Sequence, residues 1–180
     1  MHELLGDLPL VLKDTTHLSV PFEVVEDQPT YEGNALKKSR HLYQLTGEWS
    51  VADDSGLEVD VLDGKPGVHS ARYAGLPTDD FKNNIKLLDA IQNYDKPIAR
   101  FRSIISLSGP DGDFTTEGIV TGHLIHEMRG SNGFGYNPIF VPDGFQRTFA
   151  EIDSDLKNAI SHRSQALQKM KPIITKHVLK

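Results

Sequence analysis

One stretch, Arg100 to Glu127, constrains the fold more than any other part of the chain. RFRSIISLS (Arg100–Ser108) and FTTEGIVTGHLIHE (Phe114–Glu127) are period-two segments on either side of GPDGD, a run of turn-forming residues. Two such segments joined this tightly predict a long antiparallel hairpin. A third strand is expected where Leu57, Val59 and Val61 alternate with Glu58 and Asp60 ahead of the turn Asp63-Gly64.

The rest of the chain carries helical periodicity. Ala35, Leu36, Ser39, Leu42 and Tyr43 recur at helical spacing from Asn34 to Leu45, with Lys37, Lys38 and Arg40 between them. Thr78 is a candidate cap for a second helix, with Asp79 and Asp80 in its first turn and a stripe of Phe81, Ile85, Leu88 and Ile91. A last helix with the stripe Leu156, Ile160, Leu167 and Met170 is expected to run to about Met170. Helices alternating with hairpins predict an α/β domain built on a mixed sheet. Its 180 residues, 38% hydrophobic and 24% charged, suit one domain over 1–180 with a proper core.

Composition narrows the function. No apolar run approaches the roughly 20 residues of a membrane span, and the start MHELLGDLPLVLKD lacks the basic and apolar regions of a secretory signal, so a cytoplasmic address is expected. Without cysteine, thiol nucleophiles, disulfides and thiolate metal sites are excluded, and hard, oxygen-bound metals remain possible. A net charge of -6, from 19 basic and 25 acidic residues, argues against a partner held through duplex phosphates. Small anionic ligands stay open, because a local basic pocket fits within an acidic protein.

Four constellations could carry chemistry. Val51 to Gly56 (VADDSG) sets Asp53, Asp54 and Ser55 where an apolar strand meets a glycine. It reads either as an Asp-rich turn or as a Mg²⁺ site, since that ion prefers one or two carboxylates plus waters and phosphates. Gly133 to Pro138 (GFGYNP) puts Phe134 and Tyr136 among glycines. The two rings are either core residues at a hairpin end or exposed faces for a flat ligand that the backbone approaches closely.

Lys157, His162 and Arg163 are either a solvated face or phosphate and base contacts. On one unbroken helix Lys157 and His162 would face about 140° apart, so convergence requires a break, for which Ser161 is the candidate N-cap. Pro66 to Gly75 (PGVHSARYAG) lacks helical periodicity and reads as a loop, either plain surface or one carrying Arg72 over a pocket.

Taken together, TYEGNALKKSR, ADDSGLEVD, PGVHSARYAG, GFGYNPIF, TFAE and KNAISHR resemble, in order and spacing, the inosine triphosphate pyrophosphatase family. That family hydrolyses dITP, ITP and XTP to the monophosphate and pyrophosphate. The resemblance covers the chain from about Glu3 to the end. It implies an elongated mixed β-sheet with flanking helices, two lobes around a nucleotide cleft, and a homodimer without nucleic-acid or membrane partners.

Residue by residue, it implies that Glu26 and Asp54 hold Mg²⁺ with Asp53 in support, and that Asp54 is the general base. Lys38, Ser55 and Arg72 match positions that contact the nucleotide around its triphosphate. Phe134, Gly135, Tyr136 and Asn137 match the base-binding loop, and Lys157, His162 and Arg163 complete the base pocket.

The sequence departs from the family pattern where the family begins with a strand and a T/S-G-N-x-x-K loop. Here Met1 to Leu5 fall within the following helix, so part of the phosphate cradle and one sheet partner are expected to be missing. Asn137 stands where Asp is usual, which keeps an acceptor oxygen without its charge, and Gly33 stands where Glu is common. Alternative readings are a septum-inhibitor-type pyrophosphatase with another base preference, or a weakened member that only binds nucleotide or dimerises.

Overall fold

The computed structural model describes residues 5–6 and 8–179; the expected helical position of Met1 to Leu4 lies outside them. Four strands form one sheet in the order β1-β2-β3-β4: β1 (Ser50–Val59), β2 (Ile98–Gly109), β3 (Gly112–Leu124) and β4 (Phe140–Pro142). The expected hairpin is present as β2 and β3. It closes at Gly112, whose φ of 113° is one that L side chains rarely adopt. β4 pairs antiparallel with β3 in the register Gly122↔Pro142, His123↔Val141, Leu124↔Phe140. A Cβ on Gly122 would lie 2.2 Å from the Val141 carbonyl oxygen, so a glycine is needed for that approach.

Helix α1 (Tyr31–Thr46) begins three residues before the predicted start because Thr30 caps it, its hydroxyl accepting the Gly33 N–H at 3.1 Å. It stops at Gly47, in the left-handed region at φ 67°. In α2 (Asp80–Ile91) the cap is Asp79 rather than Thr78, and its carboxylate accepts the Lys82 N–H.

The buried face of α2 also differs from the predicted stripe. Phe81 and Ile85 are exposed, whereas Asn83, Asn84, Leu87 and Ile91 are buried. The reason is hydrogen bonding: Asn83 accepts the Ala74 N–H at 2.7 Å and donates to the Ala71 carbonyl at 2.9 Å. Two asparagine amides thereby take the inward side that two apolar residues were expected to fill, Asn83 bonded at both its oxygen and its nitrogen and Asn84 through its nitrogen.

The last helix, expected as one run, is two, α3 (Ser154–Ile160) and α4 (His162–His177), with Ser161, the candidate cap, between them. Asp153 caps α3 through the Leu156 N–H. α4 continues past Met170 and through Pro172, because Ile174 is buried and anchors the last turns.

Two compact units divide the chain. The first comprises Met1–Asp54, Ser103–Gly118 and Arg163–Lys180, and its core joins Ile105 and Leu107 of β2 to Ala166, Leu167, Met170 and Ile174 of α4. The second comprises Ser55–Arg102 and Ile119–His162, and its core joins Leu57, Leu87, Ile91, Phe101, Ile139, Phe140 and Phe149. Among the described residues, no helix is long and apolar enough to cross a membrane.

Candidate active site

Two groupings of functional side chains form, one within each unit. The first is a charge cluster. VADDSG is not a turn at a strand end, because β1 runs straight through it to Val59. Successive residues of a strand point to opposite faces, and Asp53 and Asp54 are separated by that alternation.

Asp54 is buried and its two oxygens are gripped from α1: Lys38 Nζ donates to Oδ1 at 2.9 Å and Asn34 Nδ2 to Oδ2 at 3.4 Å. Asn34 and Lys38 are four residues apart, so the helix stacks them on one face. Lys38 Nζ also donates to Glu26 Oε1 at 2.9 Å, and Asn34 Oδ1 accepts the Gln28 N–H at 3.0 Å. Glu26, Lys38 and Asp54 are therefore assembled from three segments, with Asn34 tying the Glu26 stretch down.

Burial pushes the Asp54 carboxyl above the ordinary carboxylate range, outweighing the opposing hydrogen bond from Lys38. Burial acts to lower the Lys38 ammonium as well, yet its hydrogen bonds to Glu26 and Asp54 win and hold it above the usual lysine value. A proton-accepting group poised in this way, beside a persistent cation, suits acid–base work on an anionic substrate.

Two carboxylates that share one ammonium fit a hard cation that completes its shell with waters and phosphate oxygens. Among the described residues, no group of three or more His, Asp or Glu side chains could hold a metal ion by itself. The donor set thus suits an ion that arrives with its substrate rather than an all-protein cage.

Asp53 does not join Glu26 and Asp54. Its Oδ1 accepts from Ser103 Oγ at 2.7 Å and its Oδ2 from Arg163, with Nε at 2.7 Å and Nη2 at 2.6 Å. Arg163 thus binds Asp53 through two of its nitrogens. His162 and Arg163 are consecutive on α4 and diverge by about 100°. Ser103 was missed by sequence reasoning. The signal was the spacing of Ser103, Ser106 and Ser108 among the apolar Ile104, Ile105 and Leu107, all three serines buried and hydrogen-bonded.

The second grouping surrounds the loop Gly133–Asn137. Gly133 and Gly135 have φ of 82° and 61°. The two rings take one alternative each: Phe134 is 63% exposed, whereas Tyr136 is buried at 3% because its hydroxyl donates to the Ser70 carbonyl at 2.8 Å. Ser70 in turn accepts the Leu57 N–H and donates to the Gly67 carbonyl. Gly67–Arg72 forms a six-residue 3-10 helix instead of a plain loop, since its bonds close locally, and it carries a partly buried Arg72. Ser55 is partly buried on β1.

Lys157 Nζ lies 5.7 Å from the centre of the Phe134 ring, within cation–π range. His162 stacks on Phe101 with centroids 4.9 Å apart and planes 10° from parallel. Asn137 is buried, and a Cβ on Gly133 would lie 2.2 Å from its Nδ2 and 2.5 Å from Lys157 Nζ. An exposed ring, a nearby ammonium and a buried amide lie together at this loop, an arrangement whose chemistry suits a flat, polar-edged ligand.

Comparison with known proteins gives one consistent result. A profile described as the Ham1 family matches residues 1–173. A dITP/XTP pyrophosphatase of Desulforamulus reducens is 47% identical over 157 residues, 86% of this chain and 78% of the relative. One of the same name from Geobacter sulfurreducens is 43% identical over 93% of this chain and 86% of its own length. A solved structure of a HAM1 protein from Coxiella burnetii superposes with a TM-score of 0.89 at 40% identity, covering 97% of this chain and 91% of that one.

Proposed function

Because the chain belongs to the Ham1 family, we propose that it hydrolyses non-standard purine nucleoside triphosphates (dITP, ITP, XTP) to the monophosphate and pyrophosphate. The observation that carries this reading is Lys38 bridging Glu26 and the buried Asp54. Mg²⁺ is the ion we assign to Glu26 and Asp54, where it would neutralise charge developing on the phosphates.

Asp54 takes the proton of a water whose oxygen bonds to the α-phosphorus. The bond from that phosphorus to the oxygen bridging α and β then breaks, and pyrophosphate leaves. Lys38, Ser55 and Arg72 hold phosphate oxygens, and Asp53, fixed by Ser103 and Arg163, braces β1 behind Asp54. Phe134 stacks on the base, while Gly135, Asn137, Lys157 and His162 meet its edges. A site presenting donors to a 6-oxo group leaves a 6-amino group unpaired, which supports rejection of adenine nucleotides. The sequence resemblance supports a homodimer.

The test is pyrophosphate release from ITP, with ATP as control, at saturating Mg²⁺. The wild-type chain is expected to turn over ITP selectively, and Asp54→Asn to lose about 10²- to 10⁴-fold in rate. Full turnover by Asp54→Asn, or equal use of ATP, would overturn the assignment.

A further inference from the structure

The glycine at the centre of the aromatic loop is held at both of its backbone groups by one face of α2. Gly135 N–H donates to Asp80 Oδ2 at 2.7 Å, and the Gly135 carbonyl accepts from Asn84 Nδ2 at 2.8 Å. Asp80 and Asn84 are four residues apart, one turn of the same helix. The Asn84 amide also donates to the Asp80 carbonyl at 2.7 Å, so both of its N–H groups are committed and its orientation follows.

We propose that Asp80 and Asn84 are positioning residues for base recognition: they clamp Gly135 in its left-handed conformation and so aim Phe134 outward while Tyr136 turns in. Glycine has the widest conformational freedom of any residue, and two bonds to one rigid helix remove it. The bond from Asp80 is charge-assisted and therefore the stronger kind. Asn84 is buried, which adds a penalty if its partner carbonyl moves away. Neither residue was singled out as part of a site from sequence, since Asp80 serves equally well as a first-turn acid and Asn84 as a surface amide.

The proposal rests on the loop being the base receptor, and its test separates the two ideas. Asp80→Ala is the informative variant, because Asp80 is exposed and the α2 cap, Asp79, stays in place. Asp80→Asn keeps an acceptor oxygen for Gly135 and serves as the conservative control. Calorimetry would measure inosine monophosphate and inorganic tripolyphosphate binding to each protein, alongside KM and kcat for ITP and ATP.

Asp80→Ala is expected to weaken inosine monophosphate binding and raise the ITP KM about tenfold, the value of one charge-assisted bond. kcat and tripolyphosphate binding should stay within about twofold, and Asp80→Asn should restore most of the loss. Unchanged inosine monophosphate affinity in Asp80→Ala would overturn the clamp, as would an equal loss of both ligands. A wild-type chain that does not distinguish ITP from ATP would overturn the base-loop reading and the clamp with it. Selective wild type with an equally selective Asp80→Ala overturns the clamp alone.

Discussion

Replacing Lys38 by methionine removes an ammonium that lies 2.9 Å from both Glu26 Oε1 and Asp54 Oδ1 while keeping most of the side-chain volume. Breaking a buried ion pair from one side costs about 3–5 kcal/mol, mainly because the remaining charge is stranded away from water. The side chains are 16% exposed for Lys38, 33% for Glu26 and 9% for Asp54. Glu26 has water within reach and relaxes, whereas Asp54 does not, so one carboxylate is stranded rather than two. That places the cost at the lower end, about 3 kcal/mol. For a domain of 150–250 residues, 1 kcal/mol shifts Tm by about 2–4 °C, so Lys38→Met should melt about 6–12 °C below the wild type.

The same reasoning predicts a repair. A divalent cation can take the place of the ammonium beside Asp54 and Glu26, and saturating ligand at about 100 times its Kd stabilises by about 2.7 kcal/mol. Thermal melts with and without magnesium chloride should therefore show a larger upward shift for Lys38→Met than for the wild type. A variant that melts within about 2 °C of the wild type, and responds to magnesium no more than it does, would refute the charge argument.

Two further outcomes are expected. Gly133→Ala puts a Cβ where Asn137 Nδ2 and Lys157 Nζ now lie, at a φ of 82° that costs an L residue about 1–2 kcal/mol; the KM for ITP should rise several-fold with a Tm loss of a few degrees, and an unchanged KM would separate the loop from binding. Acid stability should follow the carboxylates held below their usual range. Among the described residues they include Glu151, by the Thr148 N–H; Asp79, by the Lys82 N–H; Asp113, where burial is outweighed by the Ser108 hydroxyl and Arg40; Asp14, by the Thr16 hydroxyl; and Asp27, by Lys37. A depressed folded pKa adds stability above the unfolded value and loses it as pH falls through the folded one. Melts should fall below about pH 4, and the deficit of Asp79→Ala relative to wild type should close there; a deficit that persists at about pH 2 would contradict this.

What was legible in the sequence was local. The hairpin followed from period-two segments around GPDGD and α1 from its spacing, and Ser161 was legible as the place where the last helix could be interrupted. Each depends on residues within a few positions of one another. Phe134 was legible only as a choice between a core ring and an exposed one, because nothing within a few positions decides which way a ring between glycines turns.

The errors share a cause. Thr78 and Asp79 are adjacent and both able to cap, and the backbone path rather than side-chain chemistry chose Asp79. Phe81 and Ile85 matched a helical stripe, but Asn83 and Asn84 found carbonyls on other segments and took the inner face. Tyr136 looked like a twin of Phe134 until Ser70, 66 positions away, supplied an acceptor for its hydroxyl.

By itself, then, the sequence determined the helices, the hairpin, the absence of thiol chemistry and the inventory of charged and aromatic groups. Only the tertiary structure decided how those groups pair. Asp54 meets Lys38 across 16 positions and Asp53 meets Arg163 across 110. Strand alternation sends neighbouring aspartates to opposite faces, and a buried charge settles on the cation that folding brings within reach, however distant it is along the chain.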